Sequence, residues 1–421
     1  VILRALRHRN YRLFFTGQSI SLVGTWMTRV ATSWLVYRMT HSAELLGLVS
    51  FASLIPTLLL TPLAGVLADR WDRRRILVLT QVLSMAQSFI LAALTLSGVI
   101  QVWQIIALNL FQGCVNAIDM PARQAFLVEM VEDREDLSNA IALNSSMFNG
   151  ARLVGPAIAG VLIAISGEGV CFLADGFSYV AVILSLLAMK IKRSLAALEP
   201  APMLRGLAEG FRFAFGFTPI RAILLLTALT GLIGMPYTVL MPVFARDVLG
   251  GDAHTFGFLM SCVGLGALTG ALYLASRRSV RGLGRIIPLS AALFGMGLIA
   301  FSLSRSLPLS CLLLFAAGFG MMVQTASGNT ILQTIVDDDK RGRVMSFYGT
   351  ALLGMTPFGG LLAGYLAGLI GAPLTILADG LIILLGAALF ARNLPRIREL
   401  TRPIYVRKGI ITEIPPPPTP P

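Results

Sequence analysis

Long apolar runs alternate with short polar or basic breaks along almost the whole chain. Twelve runs stand out, at roughly 14–37, 44–68, 76–98, 101–122, 139–165, 169–189, 220–245, 254–275, 284–304, 307–334, 344–369 and 372–392. About 20 apolar residues cross a hydrocarbon core of roughly 30 Å as a helix, so each run predicts a membrane span. Most breaks are hairpin-length with Gly, Pro or Ser at the bend, as at Ser97-Gly98, Ser166-Gly167, Ser306-Leu307-Pro308 and Gly371-Ala372-Pro373. The longest break, 190–219, opens with Lys190-Ile191-Lys192-Arg193. Its last part sets Leu207, Phe211, Phe213, Phe215 and Phe217 among Glu209 and Arg212. That interleaving predicts an amphipathic helix on the membrane surface. After 395 the chain turns basic and ends in a proline run, which predicts an extended tail.

Composition narrows the class. Of 421 residues, 56% are hydrophobic and only 13% charged, against about 25% charged in an ordinary soluble domain. A soluble globular enzyme and a disordered regulator are excluded. The net charge of +13 does not point to nucleic acid, because the basic residues sit in short loops between apolar runs. Of the 34 Lys and Arg, 29 fall at the N-terminus, in the even-to-odd loops or in the tail. Arg38, Arg246 and Arg305 lie in the opposite loops, and Arg29 and Arg152 lie inside spans. The positive-inside rule therefore predicts two cytoplasmic termini. The first run is too long for a signal-peptide core and has no A-x-A site, so its retention is expected.

Soluble-site chemistry is missing from the pattern. Cys114, Cys171, Cys262 and Cys311 form no CxxC pair and read as small core residues. His8, His41 and His254 stand at membrane edges without Cys or His neighbours, so no metal site is expected. No G-x-x-x-x-G-K-[ST] loop appears, which argues against ATP-driven work. No catalytic triad can be assembled, and no cofactor is expected.

An internal repeat organises the runs. Shifting the chain by 204 residues places Gly150, Gly155, Ala159, Gly160 and Gly167 on Gly354, Gly359, Ala363, Gly364 and Gly371. It also places Leu173-Ala174-Asp175-Gly176 on Leu377-Ala378-Asp379-Gly380. Spans five and six thus recur as eleven and twelve. The expected fold is an all-α membrane protein of twelve transmembrane helices in two six-helix pseudo-repeat halves, 1–189 and 220–395. A cytoplasmic linker, 190–219, joins them, and a basic Pro-rich tail, 396–421, follows. Many secondary transporters are built from such parallel repeats.

After span two comes Gly65-Val66-Leu67-Ala68-Asp69-Arg70-Trp71-Asp72-Arg73-Arg74-Arg75. It resembles the loop signature of the major facilitator superfamily, G-x-x-x-D-R-x-G-R-R-x, with Asp72 in place of Gly. This form, together with Asp119-Met120-Pro121-Ala122-Arg123, Gly155-Pro156-Ala157-Ile158-Ala159-Gly160 and the opening Leu6-Arg7-His8-Arg9-Asn10-Tyr11, resembles the branch of enterobactin exporters and drug or macrolide efflux pumps. The resemblance covers residues 3–395. It implies a monomeric carrier in a bacterial inner membrane, moving a siderophore-like or drug-like amphipathic molecule outward, with protons as the driver. A lysophospholipid flippase of the same fold and a non-transporting receptor or scaffold are the alternatives.

The resemblance also assigns roles. Gly65, Asp69, Arg70, Arg73 and Arg74, with Asp119 and Arg123, would form a cytoplasmic gate in which Asp69 meets a helix N-terminus and Arg123 is a candidate partner. Gly150, Gly155, Pro156 and Gly160 would make span five thin and bendable. Pro357 in the second copy displaces that bend slightly. In this fold spans one, four, seven and ten line a central cavity, which makes Gln18, Trp26, Arg29, Asn109, Gln112, Asn116, Tyr237, Met241, Met321, Gln324 and Asn329 candidates, with Arg152 from span five. Asn109 stands where drug–proton antiporters of the superfamily carry arginine, so the expected proton-handling group is missing there. Ionisable groups inside a bilayer are functional by default. Asp175 and Asp379 are therefore candidate proton or charge-pair sites, and Asp175 is a candidate counter-charge for Arg29.

Overall fold

The computed structural model describes residues 3–131, 133–190, 211–277 and 279–411, without the side chains of residues 62, 65–70, 134, 338 and 339. Inside a bilayer no water satisfies backbone N–H and C=O groups, so the apolar runs close their hydrogen bonds as helices. Twelve long helical segments result among the described residues: α1 (Arg9–Thr40), α2 (Ala43–Arg70), α3 (Arg73–Leu96), α4 (Val102–Met130), α5 (Leu137–Ser166), α6 (Glu168–Ala188), α7 (Thr218–Val248), α8 (Ala253–Ala275), α9 (Leu283–Leu303), α10 (Leu307–Ile335), α11 (Lys340–Ile370) and α12 (Ala372–Arg407). Eleven of them are long and apolar enough to cross a membrane. The exception, α1, has 32 residues but carries Arg9, Arg12, Arg29 and Arg38 with several Ser and Thr. Its polar groups are tolerable because α1 packs inside the bundle against α5 and α6.

The packing recurs with an offset of six helices. α1 meets α5 and α6, α3 meets α4 and α6, and α2 meets α4. In the same way α7 meets α11 and α12, α9 meets α10 and α12, and α8 meets α10. The two most extensive contacts between the sets are α5 with α8 and α2 with α11. Both are glycine crossings. A Cβ on Gly160 would stand 3.2 Å from Gly257 Cα, and one on Gly364 would stand 3.0 Å from Gly47 Cα. Small residues let backbones approach where no side chain would fit. The turns repeat too: Gly167 (φ 82°) ends α5 and Gly371 (φ 85°) ends α11, each in a backbone region that only glycine enters freely.

Three apolar cores result. One fills the end at which odd helices turn into even ones, hereafter the distal end. It joins Trp34, Leu46 and Phe172 of the first six helices to Phe244, Phe256, Phe294 and Phe301 of the last six. At the opposite, terminal end the described residues form two separate cores. Tyr11, Phe14, Ile76, Phe126 and Met147 form one, and Ile220, Leu283, Ile331, Tyr348 and Phe390 form the other. The outward faces remain apolar, as at Leu63, Ile165, Leu289 and Leu303. Such a surface suits lipid rather than water.

Three features depart from expectation. The tail does not become extended at 395, since α12 continues through Pro395 and Pro403 to Arg407. Ile397 and Thr401 are buried on its inner face. Arg407 pairs with Asp337 at 2.9 Å, and Lys408 donates to the Thr334 carbonyl at 2.7 Å. Each proline removes one donor, and this side-face packing compensates. Second, the two copies differ in backbone, since α5 stays α-helical through Pro156. Its repeat partner α11 instead contains a π-turn at Thr350–Gly354. Third, α7 is irregular: a π-turn, Thr230–Gly234, precedes a 3₁₀ stretch, Met235–Leu240, and a second π-turn, Phe244–Val248. Of the linker, residues 191–210 lie outside the described residues. Residues 211–216 are helical, with Phe211 stacked on Phe215 and Lys340 over the Phe213 ring at 4.6 Å.

Candidate functional site

Trp26, Arg29 and Arg152 come together near the middle of the bundle. Arg29 Cζ lies 4.8 Å from the Trp26 ring centroid and Arg152 Cζ lies 5.9 Å from the same centroid. Phe148 meets the indole edge-on at 5.8 Å. α1 can bring Trp26 this close to α5 because Gly155 has no Cβ, and one would stand 2.5 Å from Trp26 Cβ. α1 packs inside the bundle against α5 and α6, yet Arg29 is exposed, so its side chain borders an open crevice. Across the crevice, Tyr237 of α7 lies within electrostatic reach of Arg152. Its hydroxyl is buried without a hydrogen-bond partner.

The other cavity candidates separate from this group. Gln324 of α10 donates to the Thr230 hydroxyl of α7 at 2.7 Å and leaves its own Oε1 without a partner. That bond falls on the first π-turn of α7. Met241 and Met321 are buried apolar packing. Asn109 donates to the Ile105 carbonyl of its own helix, and Asn329 accepts from Gln333. Gln112 donates to Ser84 at 3.0 Å and to Asn116 at 3.1 Å, inside the first six helices. Gln18 is buried.

That last network belongs to a feature the sequence reading did not single out. α3 carries Thr80, Gln81, Ser84, Gln87 and Ser88, all buried, on one helical face. Thr80 and Gln81 donate to Asp119 at 2.8 and 2.9 Å, and Asp119 pairs with Arg123. One turn on, Ser84 meets Gln112. A further turn on, Ser88 donates to Asp175 at 2.9 Å, where Thr28 also donates at 2.8 Å and Ser178 at 3.4 Å. The signal was visible as polar residues at 3.6-residue spacing within an otherwise apolar run.

One expected pairing is corrected. Asp175 is satisfied by hydroxyls from α1, α3 and α6, not by Arg29. Thr28 and Arg29 are adjacent, and the 100° turn between neighbours sends one toward α6 and the other into the crevice. Arg123 pairs with Asp119 in its own helix; the expected contact with Asp69 falls outside the described residues, as do the surroundings of Gly65 and Arg70. Asp379, the repeat partner of Asp175, is buried with Oδ2 unpartnered. The basic residues that follow have local partners. Arg73 pairs with Glu129 at 2.5 Å, and Arg74 donates to the Leu187 carbonyl at 2.7 Å. Asp72 caps α3 by accepting from the Arg75 N–H at 3.2 Å, which gives the departure from the loop signature a physical use.

At the distal end the two sets of helices are fastened. Tyr37 of α1 donates to Asp247 of α7. Trp34 stacks on Phe256 of α8 at 6.1 Å. Phe51 of α2 meets Phe358 of α11 at 5.9 Å. No cluster of His, Cys, Asp or Glu among the described residues could hold a metal ion.

Comparison with known proteins places these features. Residues 2–403 match the family described as transmembrane secretion effector. The staphyloferrin A transporter of Staphylococcus aureus is 30% identical over 363 residues, covering 86% of this chain and 90% of that protein. The multidrug efflux pump Tap of Mycolicibacterium fortuitum is 31% identical over 397 residues, covering 90% of this chain and 93% of the pump. Both are transporters rather than enzymes. A solved bacterial homologue of the human lysosomal transporter Spinster, inward-facing and unoccupied, matches with a TM-score of 0.73 at 14% identity. It covers 93% of this chain and 98% of that one. At that identity the likeness shows the fold alone.

Proposed function

The chain belongs to the transmembrane secretion effector family of the major facilitator superfamily, and on that premise we propose that it exports an amphipathic small molecule by alternating access. The substrate is drug-like or siderophore-like, the membrane is a bacterial inner membrane, and the terminal end faces the cytoplasm. One observation carries the reading. Among the described residues the two six-helix halves share a single apolar core at the distal end and keep separate cores at the terminal end. A crevice closed distally and reached from the cytoplasm is the loading state of an exporter. The halves rock about the two glycine crossings, α5 on α8 and α2 on α11, as repeat halves do in carriers of this architecture. Export requires that the Tyr37–Asp247 bond and the Trp34–Phe256 stack break while the cytoplasmic ends come together. There Asp69 would latch the halves.

The driver is the proton gradient. Asp175 and Asp379 are the intramembrane carboxylates available to carry the proton. Asp175 touches Thr28, next to Arg29, so a change in its charge is felt at the crevice.

Purified protein in liposomes, with an internal pH dye and an imposed pH gradient, tests this. Addition of drugs, siderophores and lysolipids in turn should trigger proton movement with a drug or siderophore. Silence for both, or movement with lysolipid alone, overturns the reading.

A further inference from the structure

Among the described residues the crevice holds two guanidiniums and no carboxylate to neutralise them. Arg29 and Arg152 share one indole and lie close enough to repel each other. Every nearby acid is engaged elsewhere. Asp175 accepts from Thr28, Ser88 and Ser178, Asp119 pairs with Arg123, Glu168 pairs with Arg38 at 2.8 Å, and Asp247 accepts from Tyr37. Among the described residues neither Arg29 nor Arg152 makes an ion pair. A cation over an indole recovers only part of the hydration lost inside a bundle, and two like charges side by side lose more. Such a pair persists where water or an anion reaches it. The exposure of Arg29 shows that a ligand can. The buried, unpartnered Tyr237 hydroxyl adds an uncommitted polar group on the opposite half.

Resting on the exporter reading, and narrowing it, we infer that Arg29 and Arg152 together bind a multivalent oxyanion, a solute bearing two or more carboxylates. One guanidinium pairs with each carboxylate, in the bidentate geometry that favours arginine over lysine. The Trp26 face packs the linking carbons. A monocarboxylate satisfies one arginine and leaves the other unpaired, so valence, not size, is the selected property.

The test uses the purified full-length protein in detergent, with isothermal titration by acetate, succinate and citrate at constant ionic strength. Inorganic phosphate and lysophosphatidylglycerol serve as further probes. Citrate and succinate should bind at least about tenfold more tightly than acetate. Arg29→Gln and Arg152→Gln should each weaken citrate about 10- to 100-fold, the scale of one lost charge-assisted contact. If a glutamine variant does not fold, the lysine variants, which keep the charge, should still weaken citrate about tenfold. Equal affinity for acetate and citrate, or citrate binding indifferent to both arginines, overturns the inference. Binding of phosphate or the lysolipid with no carboxylate binding also overturns it. Ethidium efflux from cells expressing the same protein separates the two levels. Efflux without valence-selective binding removes this inference and leaves export standing. Valence-selective binding by a protein that moves neither ethidium nor citrate removes the export reading.

Discussion

At the scale of single residues, the two copies of Leu-Ala-Asp-Gly make a controlled comparison. Asp175 accepts from three hydroxyls, while Asp379 Oδ2 has no partner, and both are buried. Removing the first carboxylate strands the Thr28 and Ser88 donors, since Ser178 keeps the Asp175 carbonyl at 2.7 Å, and removing the second strands none. Asp175→Ala should therefore destabilise the detergent-solubilised protein by about 1–3 kcal/mol, and Asp379→Ala should leave its melting temperature unchanged or raise it. Thermal unfolding of the two variants checks this, and equal losses would contradict it. If Asp379 also carries protons, Asp379→Ala abolishes proton-coupled transport without a stability loss. Asp69→Asn, in the loop signature, should impair transport while normal amounts of protein reach the membrane; undiminished transport would remove the latch. The sequence placed Trp26, Arg29 and Arg152 inside the membrane and identified them as unusual. It could not tell which neighbour each would meet. Asp175 was matched to Arg29 by depth, yet rotation about the helix axis decides contact, and Thr28 occupies the side of α1 that faces α6.

At the scale of elements, hydropathy was enough for the spans. What it hid was polarity that carries no charge. The α3 face of Thr80, Gln81, Ser84, Gln87 and Ser88 averages away within an apolar helix, though it ties α3 to α4 and α6 through Asp119, Gln112 and Asp175. The end of α12 was hidden differently, because Pro395 and Pro403 suggest a stop that burial of Ile397 and Thr401 overrides. Glycines also divide by environment rather than by motif. Gly160→Leu should strike the Ala253 carbonyl and Gly257, and Gly364→Leu the Ala43 carbonyl and Gly47. Each should lower stability by about 1–3 kcal/mol as the crossing is overpacked. Gly150→Ala meets nothing within 4 Å, and the helix-propensity gain of up to about 1 kcal/mol should leave it neutral or stabilised. Melting curves for the three variants compare the crossings directly. A Gly150→Ala protein as weak as the other two would mean that this segment is packed rather than open.

At the scale of the whole molecule, the 204-residue repeat appears as repeated contacts. Gly155 admits Trp26 of α1, and Gly359 admits Leu232 and Pro236 of α7. Gly160 crosses α8, and Gly364 crosses α2. Twelve helices and their basic-loop asymmetry were legible because a bilayer restricts the chain to a few solutions. The open end was not legible, since one sequence must serve both ends of a transport cycle. The distal contacts join the two sets of helices, and the proposed export cycle requires them to part. The direct measurement replaces Trp34 and Phe256 with cysteine in a protein whose four native cysteines are serine. A short bis-maleimide then links the pair, and export from reconstituted vesicles is followed before and after linking. The account predicts that each single-cysteine variant exports after the same treatment while the linked protein binds substrate but does not release it outward. Export by the linked protein at the unlinked rate would contradict alternating access through the distal end.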